Sequence, residues 1–363
     1  MTAARLVART IRGIEPVVAE EIRCGGLGRV EHLGHREVWF RCAAPGPAVL
    51  GLRCADDVFL VGATVTGIGR SRADLRLLAR AAGELPVRPL LALRRRCGGA
   101  AAPGSVDVSA SFLGRRNYTR YDIEDAVGEP LAAGTGLPYR SRRGGVAPPP
   151  GGLSWRVTVA DDRAVLALRI GARPAHRRDY RRISRPGSLH PPLAGALVRL
   201  ARPVNGARLL DPFCGAGTIP IEAALTEHTL SIVGYDRDPA AVAAATANGA
   251  GTGVGWAVAD AGRLPVPTGT VDMVVSNPPW NRQVPPSGTL ARNPRWFWRE
   301  LRRVLRPDGT TVLLLPDPDR HLAEAARAGL VPRERRPVSL SGTHPEIVRL
   351  EPVRPPRECP PEF

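Results

Sequence analysis

Between Ala207 and Leu225 the chain reads Ala-Arg-Leu-Leu-Asp-Pro-Phe-Cys-Gly-Ala-Gly-Thr-Ile-Pro-Ile-Glu-Ala-Ala-Leu. A short apolar run enters a Gly-Ala-Gly turn, and a helical pattern follows. That is the opening strand–turn–helix corner of a doubly wound sheet, where ligands sit at the carboxyl ends of the strands. Glycines at 215 and 217 let the main chain approach a ligand with no side chain in the way. Pro220 takes the place of the third glycine of a dinucleotide fingerprint, which disfavours a pyrophosphate site. Two acids then fall at strand ends. Asp236 closes the run Leu230-Ser-Ile-Val-Gly-Tyr-Asp, at the spacing where a carboxylate accepts both hydroxyls of an adenosine ribose. Asp260 closes Trp256-Ala-Val-Ala-Asp, placed to accept a hydrogen bond from an adenine amino group. A fourth run, Val271-Asp-Met-Val-Val-Ser276, is capped by Asn277-Pro278-Pro279-Trp280. Singly, each acid would be an ordinary strand-end or helix-cap group. In this order they describe a nucleoside-binding α/β domain.

Asp211-Pro-Phe-Cys-Gly-Ala-Gly-Thr218 together with Ser276-Asn-Pro-Pro-Trp280 resembles the Rossmann-fold methyltransferases that use S-adenosylmethionine and modify exocyclic amines. More narrowly, the chain is similar to the THUMP-domain RNA guanine-N2 methyltransferases. Three further stretches carry the likeness: Arg12-Gly-Ile-Glu-Pro16, Gly114-Arg-Arg-Asn-Tyr-Thr119, and Asp179-Tyr-Arg-Arg182 followed by Leu189-His-Pro-Pro-Leu193. It spans nearly the whole chain and is poorest over residues 79–103. The family commonly has glycine after the motif's aromatic, where this chain has Asn281 after Trp280.

The resemblance implies an α/β protein: a Rossmann-like, doubly wound class I methyltransferase domain preceded by a ferredoxin-like and THUMP α+β region that binds RNA. The expected divisions are a ferredoxin-like domain over 1–62, a THUMP-like domain over 63–173, and a basic linker and helix over 174–203. A catalytic domain over 204–355 and a tail over 356–363 complete the chain. The implied cofactor is S-adenosylmethionine. Asp211, Phe213, Gly215 and Gly217 would line its methionine end, Asp236 would hold its ribose and Asp260 its adenine, and Arg237 and Ala261 would also contact it. Asn277 would reach both cofactor and target.

The chemistry explains the tetrapeptide. A guanine N2 amine is a poor nucleophile because its lone pair is delocalised into the ring. Oxygen acceptors aimed at its two N–H bonds rotate the group and localise that pair toward the methyl. The side-chain carbonyl of Asn277 and the main-chain carbonyl of Pro278 are the expected acceptors. Consecutive prolines supply no competing N–H and keep the turn stiff. Trp280 would stack on the flipped base. No general base is required if the proton leaves to water after transfer, so in-line positioning would supply about 7–11 kcal/mol. The Pro/Gly-rich stretch 282–289 reads as a lid over the target.

Composition bounds the partner. The 363 residues carry 51 cations against 34 carboxylates, a net charge of +17, and every cation is arginine. Arginine's planar fork suits phosphate and base edges, which puts nucleic acid above membrane. Arg115, Arg116, Asn117 and Tyr118 combine cations with an aromatic ring, as RNA contacts do. Arg177, Arg178, Arg181, Arg182 and Arg185 crowd the passage into the catalytic domain as either a solvated run or a phosphate clamp. The favoured RNA is tRNA, with ribosomal RNA second. Alternatives are an amino-methyltransferase acting on adenine N6 or on glutamine, and a non-catalytic RNA-binding protein with a vestigial fold. No uninterrupted apolar stretch reaches membrane-spanning length. Six scattered cysteines form no CxxC pair and seven histidines show no ligand spacing. The expectation is a soluble cytoplasmic protein without metal, taken as a monomer.

The remaining elements are read from periodicity. Val17, Val18 and Ile22 share one helix face, Val38-Trp39-Phe40 is a strand, and Val106–Ala110 and Trp155–Val159 alternate as half-buried strands. A helix runs from Asp122 through Leu131 and another through Leu193, Leu197, Val198 and Leu200. Residues 85–104 read as a loop or a divergent element. Trp296, Phe297 and Trp298 open a helix as core packing, and Cys214 is a small buried neighbour of the cofactor.

Overall fold

The computed structural model describes residues 3–99, 103–226, 229–279, 285–340 and 342–353. It divides into two compact units: residues up to Thr10 with Val18–His176, and Ile11–Val17 with the chain from Arg177 onward.

The first unit is built from β1 (Ala4–Arg9), α1 (Glu15–Cys24, its first turn grouped with the second unit), β2 (Arg29–Gly34), β3 (Glu37–Cys42), β4 (Asp57–Thr66), α2 (Leu75–Gly83), α3 (Val87–Arg96), β5 (Val106–Phe112), α4 (Arg120–Thr135), β6 (Leu153–Ala160) and β7 (Arg163–Arg169). Its seven strands form one sheet in the order β2-β3-β1-β4-β7-β6-β5. All neighbours are antiparallel except β5 and β6, which α4 connects as a crossover. The boundary expected at residue 62 falls inside β4. That strand pairs with β1 through Asp57–Leu60 and with β7 as far as Thr66, so the two expected N-terminal modules share one sheet. Apolar side chains decide its faces. β6 alternates buried and half-buried residues along its whole length, as Trp155–Val159 predicts. A cluster of Val7, Trp39, Phe59, Val165 and Ala167 is overlaid by arginine, with the Arg5 guanidinium 4.7 Å from the Trp39 ring centroid.

The stretch from 85 to 104 resolves into α3 over Val87–Arg96. Arg94 there is buried and its Nε donates to the carbonyl of Arg169 at 3.1 Å. Residues 100–102 lie outside the described residues. Helix α4 starts where Thr119 and Asp122 cap each other reciprocally, and the left-handed Gly136 ends it.

The second unit contains α5 (Pro191–Leu200), β8 (Arg208–Asp211), α6 (Thr218–Thr226), β9 (Ser231–Asp236), α7 (Pro239–Asn248), β10 (Gly255–Val258), β11 (Val271–Ser276), α8 (Gly288–Arg292), α9 (Pro294–Val304), β12 (Leu305–Leu315), α10 (Pro318–Arg327), β13 (Leu330–Pro337) and β14 (Glu346–Pro352). The strand order is β10-β9-β8-β11-β12-β14-β13. The first five strands are parallel, and β14 runs antiparallel to both of its neighbours. The order reverses between β8 and β11, which is the switch point where doubly wound sheets bind ligands. Core residues on α9 and β12, among them Phe297, Trp298, Leu301 and Leu313, are fully buried, whereas Trp296 is exposed. The segment 305–309 belongs to β12; Leu305 already pairs with Val271 before a register shift. Among the described residues, no helix is long and apolar enough to cross a membrane.

Candidate active site

Each strand of the parallel half delivers its last residue to one edge. Asp211 ends β8, Asp236 ends β9 and Ser276 ends β11. Because β8 and β11 are parallel neighbours, with Leu209 beside Met273 and Leu210 beside Val274, the Gly-Ala-Gly turn and Asn277 leave the sheet side by side. A hydrogen bond locks that adjacency: the Ser276 hydroxyl donates to Asp211 Oδ1 at 2.6 Å, and both residues are buried. The Phe213 N–H donates to the same oxygen at 3.1 Å. Burial pushes the Asp211 carboxyl up to about 7, and the nearby Asp236 adds to it against these two donors.

The turn after β8 is held at several points. The Gly215 N–H donates to Asp236 Oδ2 at 2.9 Å, and the Gly217 N–H to the Cys214 carbonyl at 2.8 Å. Both glycines have positive φ, at 53° and 85°. Their surroundings differ. A Cβ at Gly215 would meet no described atom within 4 Å, which leaves an open cradle beside the Asp236 carboxylate. A Cβ at Gly217 would come within 2.8 Å of Trp256. At Gly217 the side-chain direction is thus filled by Trp256, whereas at Gly215 it is open. The Trp256 ring also excludes a side chain at Gly234 and at Gly249. Cys214 is buried as expected; burial, with the charges of Asp211 and Asp236, pushes its thiol far up and keeps it un-nucleophilic.

Asp236 stands half-buried at the tip of β9, its Oδ1 accepting from the Asp238 N–H at 3.0 Å. Asp260 lies just past β10. Its Oδ1 accepts from Gly262 N–H at 2.9 Å and its Oδ2 from Thr289 N–H at 3.0 Å, with Arg237 Nε at 3.8 Å. Burial works to raise the Asp260 pKa, but these donors, the Thr289 hydroxyl and Arg237 outweigh it and hold the carboxyl below its ordinary value. Thr289, at the end of the expected lid, is thus tied to the acid read as the adenine acceptor. Ala261 is buried, and Phe213 packs its ring 5.4 Å from that of Phe297. Asn277 is half-buried and Pro278 buried. Trp280, Asn281 and residues 282–284 lie outside the described residues.

The arginine passage 177–190 contains no helix or strand, yet it is pinned along the catalytic unit like a strap. Arg178 Nε meets Glu222 Oε1 at 2.9 Å, and the Tyr180 hydroxyl donates to the same oxygen at 2.8 Å. Glu222 is completely buried within α6. Arg185 pairs with Asp238. Arg178, expected to touch RNA, is therefore consumed by a buried carboxylate. Arg177 and Arg182 are exposed and Arg181 half-exposed.

In the first unit the Gly114–Thr119 stretch divides in the same way. Arg116 donates to the carbonyls of Ile68 and Gly69 at 2.9 Å and of Asp161 at 2.5 Å, and the buried Tyr118 donates its hydroxyl to Gly69 at 3.0 Å. Three main-chain loops are stitched together by these two side chains, so their polar ends are engaged within the fold. Arg115 and Asn117 are exposed.

Sequence reasoning overlooked Ser276, Asn248, Glu222 and Trp256 as contributors. Glu222 carried a signal, being the lone acid in the apolar helix Thr-Ile-Pro-Ile-Glu-Ala-Ala-Leu.

Residues 178–346 match the family described as RMKL-like, methyltransferase domain. The tRNA (guanine(6)-N2)-methyltransferase of Thermus thermophilus is 32% identical over 355 residues, covering 95% of this chain and 99% of that protein. The crystal structure of TrmN from Thermus thermophilus superposes with a TM-score of 0.75 at 31% identity, over 96% of this chain and 99% of that one. The human tRNA (guanine(6)-N(2))-methyltransferase THUMP3 is 28% identical over 183 residues, 44% of this chain and 35% of that protein. Likeness over almost the full length, together with the edge of strand-end acids, the glycine turn and Asn277, identifies the chain as a member of the THUMP-domain-containing, S-adenosylmethionine-dependent RNA guanine-N2 methyltransferase family.

Proposed function

We propose that the enzyme methylates N2 of a guanosine in tRNA, at the position named for its full-length relative, nucleotide 6, and does so in the cytoplasm as a monomer. The observation that carries the reading is the Ser276–Asp211 bond, which sets the target-side Asn277 next to the turn on the cofactor side. The residues present fit the cofactor. Gly215 opens onto free space where a Cβ would meet no described atom, and Asp236 offers a carboxylate beside it. Asp236 with Arg237 would hold the ribose, Asp260 with Ala261 the adenine, and Asp211, Phe213 and Gly215 the methionine end. S-adenosylmethionine supplies an electrophilic methyl on a sulfonium.

The protein's own work is positional. The Asn277 side-chain carbonyl and the Pro278 main-chain carbonyl accept from the two N–H bonds of the target amine and turn its lone pair toward the methyl. The Trp280 ring stacks on the extruded base, which is unstacked from its helix at a cost of a few kcal/mol. Once methylated, the ammonium is acidic and releases its proton to water. The first unit, read as ferredoxin-like to residue 62 and THUMP-like to residue 173, grips the RNA by shape and phosphate through exposed groups such as Arg115 and Asn117. Arg177, Arg181 and Arg182 extend that grip along the strap.

The test is nucleoside mass spectrometry on transcribed tRNA treated with purified enzyme and S-adenosylmethionine. N2-methylguanosine mapping to nucleotide 6 is expected. A methyl on adenine, on another guanosine, or none at all overturns the assignment.

A further inference from the structure

Asn248, the last residue of α7, is nearly inaccessible yet saturated. Its Oδ1 accepts from the main-chain N–H of Arg182 at 3.1 Å and of Ile183 at 2.9 Å. Its Nδ2 donates to the Ile183 carbonyl at 2.8 Å and to the Ala216 carbonyl at 2.9 Å. These four bonds are the full capacity of a side-chain amide in this geometry. Ala216 is the middle residue of the turn whose neighbours are the open Gly215 and the packed Gly217. The other ties on the turn, Gly215 N–H to Asp236 and Gly217 N–H to Cys214, fix its two flanks but leave the central carbonyl to Asn248.

We infer that Asn248 is a positioning residue for the cofactor, making the strap a structural part of the cofactor site. Ala216 can hold its carbonyl inward only while Asn248 is presented to it. The strap backbone at residues 182 and 183 fixes the amide's rotation, because two N–H donors and one carbonyl specify which end is oxygen. The Ala216 carbonyl shares its peptide plane with the Gly217 N–H, which donates to the Cys214 carbonyl, so the two bonds together fix the turn that carries Gly215. The strap is itself anchored at Arg178 and Tyr180 on Glu222 and at Arg185 on Asp238. Burial without a partner would cost each released main-chain group its full desolvation, so the turn relaxes rather than remaining in place.

The inference rests on the cofactor reading of the turn, and one set of titrations separates the two. S-adenosylhomocysteine is titrated calorimetrically into the full-length protein and into Asn248→Asp, which can keep both acceptor bonds to the strap and loses the two donors, to Ala216 and to Ile183. Val348→Ala, a cavity in β14, supplies a control of lowered stability. Affinity is expected to fall about tenfold in Asn248→Asp, while the control keeps wild-type affinity. RNA affinity without cofactor should be unchanged in Val348→Ala. Asn248→Ser carries the same expectation should the carboxylate prevent folding. Affinity within twofold of wild type overturns the inference, as does an equal loss in Val348→Ala. A wild-type protein that binds no S-adenosylhomocysteine instead overturns the cofactor reading on which the inference stands.

Discussion

The Ser276 hydroxyl lies 2.6 Å from Asp211 Oδ1 and joins two strands at the point where the sheet changes direction. The acid it contacts is buried, and burial pushes its carboxyl up to about 7. The unfolded chain therefore ionises this group around pH 4, and the folded chain only near 7. Stability is undiminished below the unfolded value and falls as pH rises to the folded one. Asp211→Asn should melt above wild type at pH 8, with the difference vanishing toward pH 4. Thermal unfolding across that range measures it, and a pH-independent difference would mean that Asp211 is ionised throughout.

Removal of the target-side acceptor should separate chemistry from cofactor binding. Asn277→Ala is expected to lower kcat at least about a hundredfold, by analogy with the loss of one preorganised polar contact at a reacting centre. S-adenosylhomocysteine affinity should stay within a few-fold. Single-turnover kinetics on tRNA alongside calorimetry decides it, and full activity would remove the proposed role of the amide.

The two glycines of the turn should fail in different ways. At Gly217 a methyl group meets Trp256 and the helix residue Ala245, so Gly217→Ala is expected to destabilise the catalytic unit by several kcal/mol. At Gly215 there is room, and the cost is the left-handed backbone alone, about 1–2 kcal/mol. Gly215→Ala should fold and lose cofactor affinity. Urea titration and calorimetry on the pair would expose an exchange of these roles.

The strap offers a contrast between buried and exposed arginines. Arg178→Ala removes this cation from the buried Glu222 carboxylate and should cost about 3–5 kcal/mol in urea unfolding. Arg177→Ala should leave stability within about 0.5 kcal/mol and reduce the salt dependence of tRNA binding by about one unit of log–log slope. Filter binding at several salt concentrations reads the second effect, and an unchanged slope would take Arg177 off the RNA.

What could be read beforehand follows from which interactions are periodic or local. Val271–Ser276 emerged as a strand with the same limits because four apolar positions and a following Asn-Pro define it locally. Asp236 and Asp260 were recognisable because strand ends are where such acids gather. The strap was not. An arginine that serves a phosphate and one that serves Glu222 look alike in a chain whose cations are all arginine, and the carboxylate sits 44 positions away. Arg116 escaped for the same reason: its partners are main-chain carbonyls at Ile68, Gly69 and Asp161, which no side-chain pattern announces. The helix α3 was obscured by a proline near its start, at residue 89, and by three consecutive arginines at its end.

One indole occupies the room of three absent side chains, at positions 217, 234 and 249. These positions and Trp256 accordingly form a single interlocked unit of sequence. No member can be enlarged while the ring remains, and trimming the ring would hollow out the floor beneath the turn. An engineer wishing to reshape this pocket must redesign all four together.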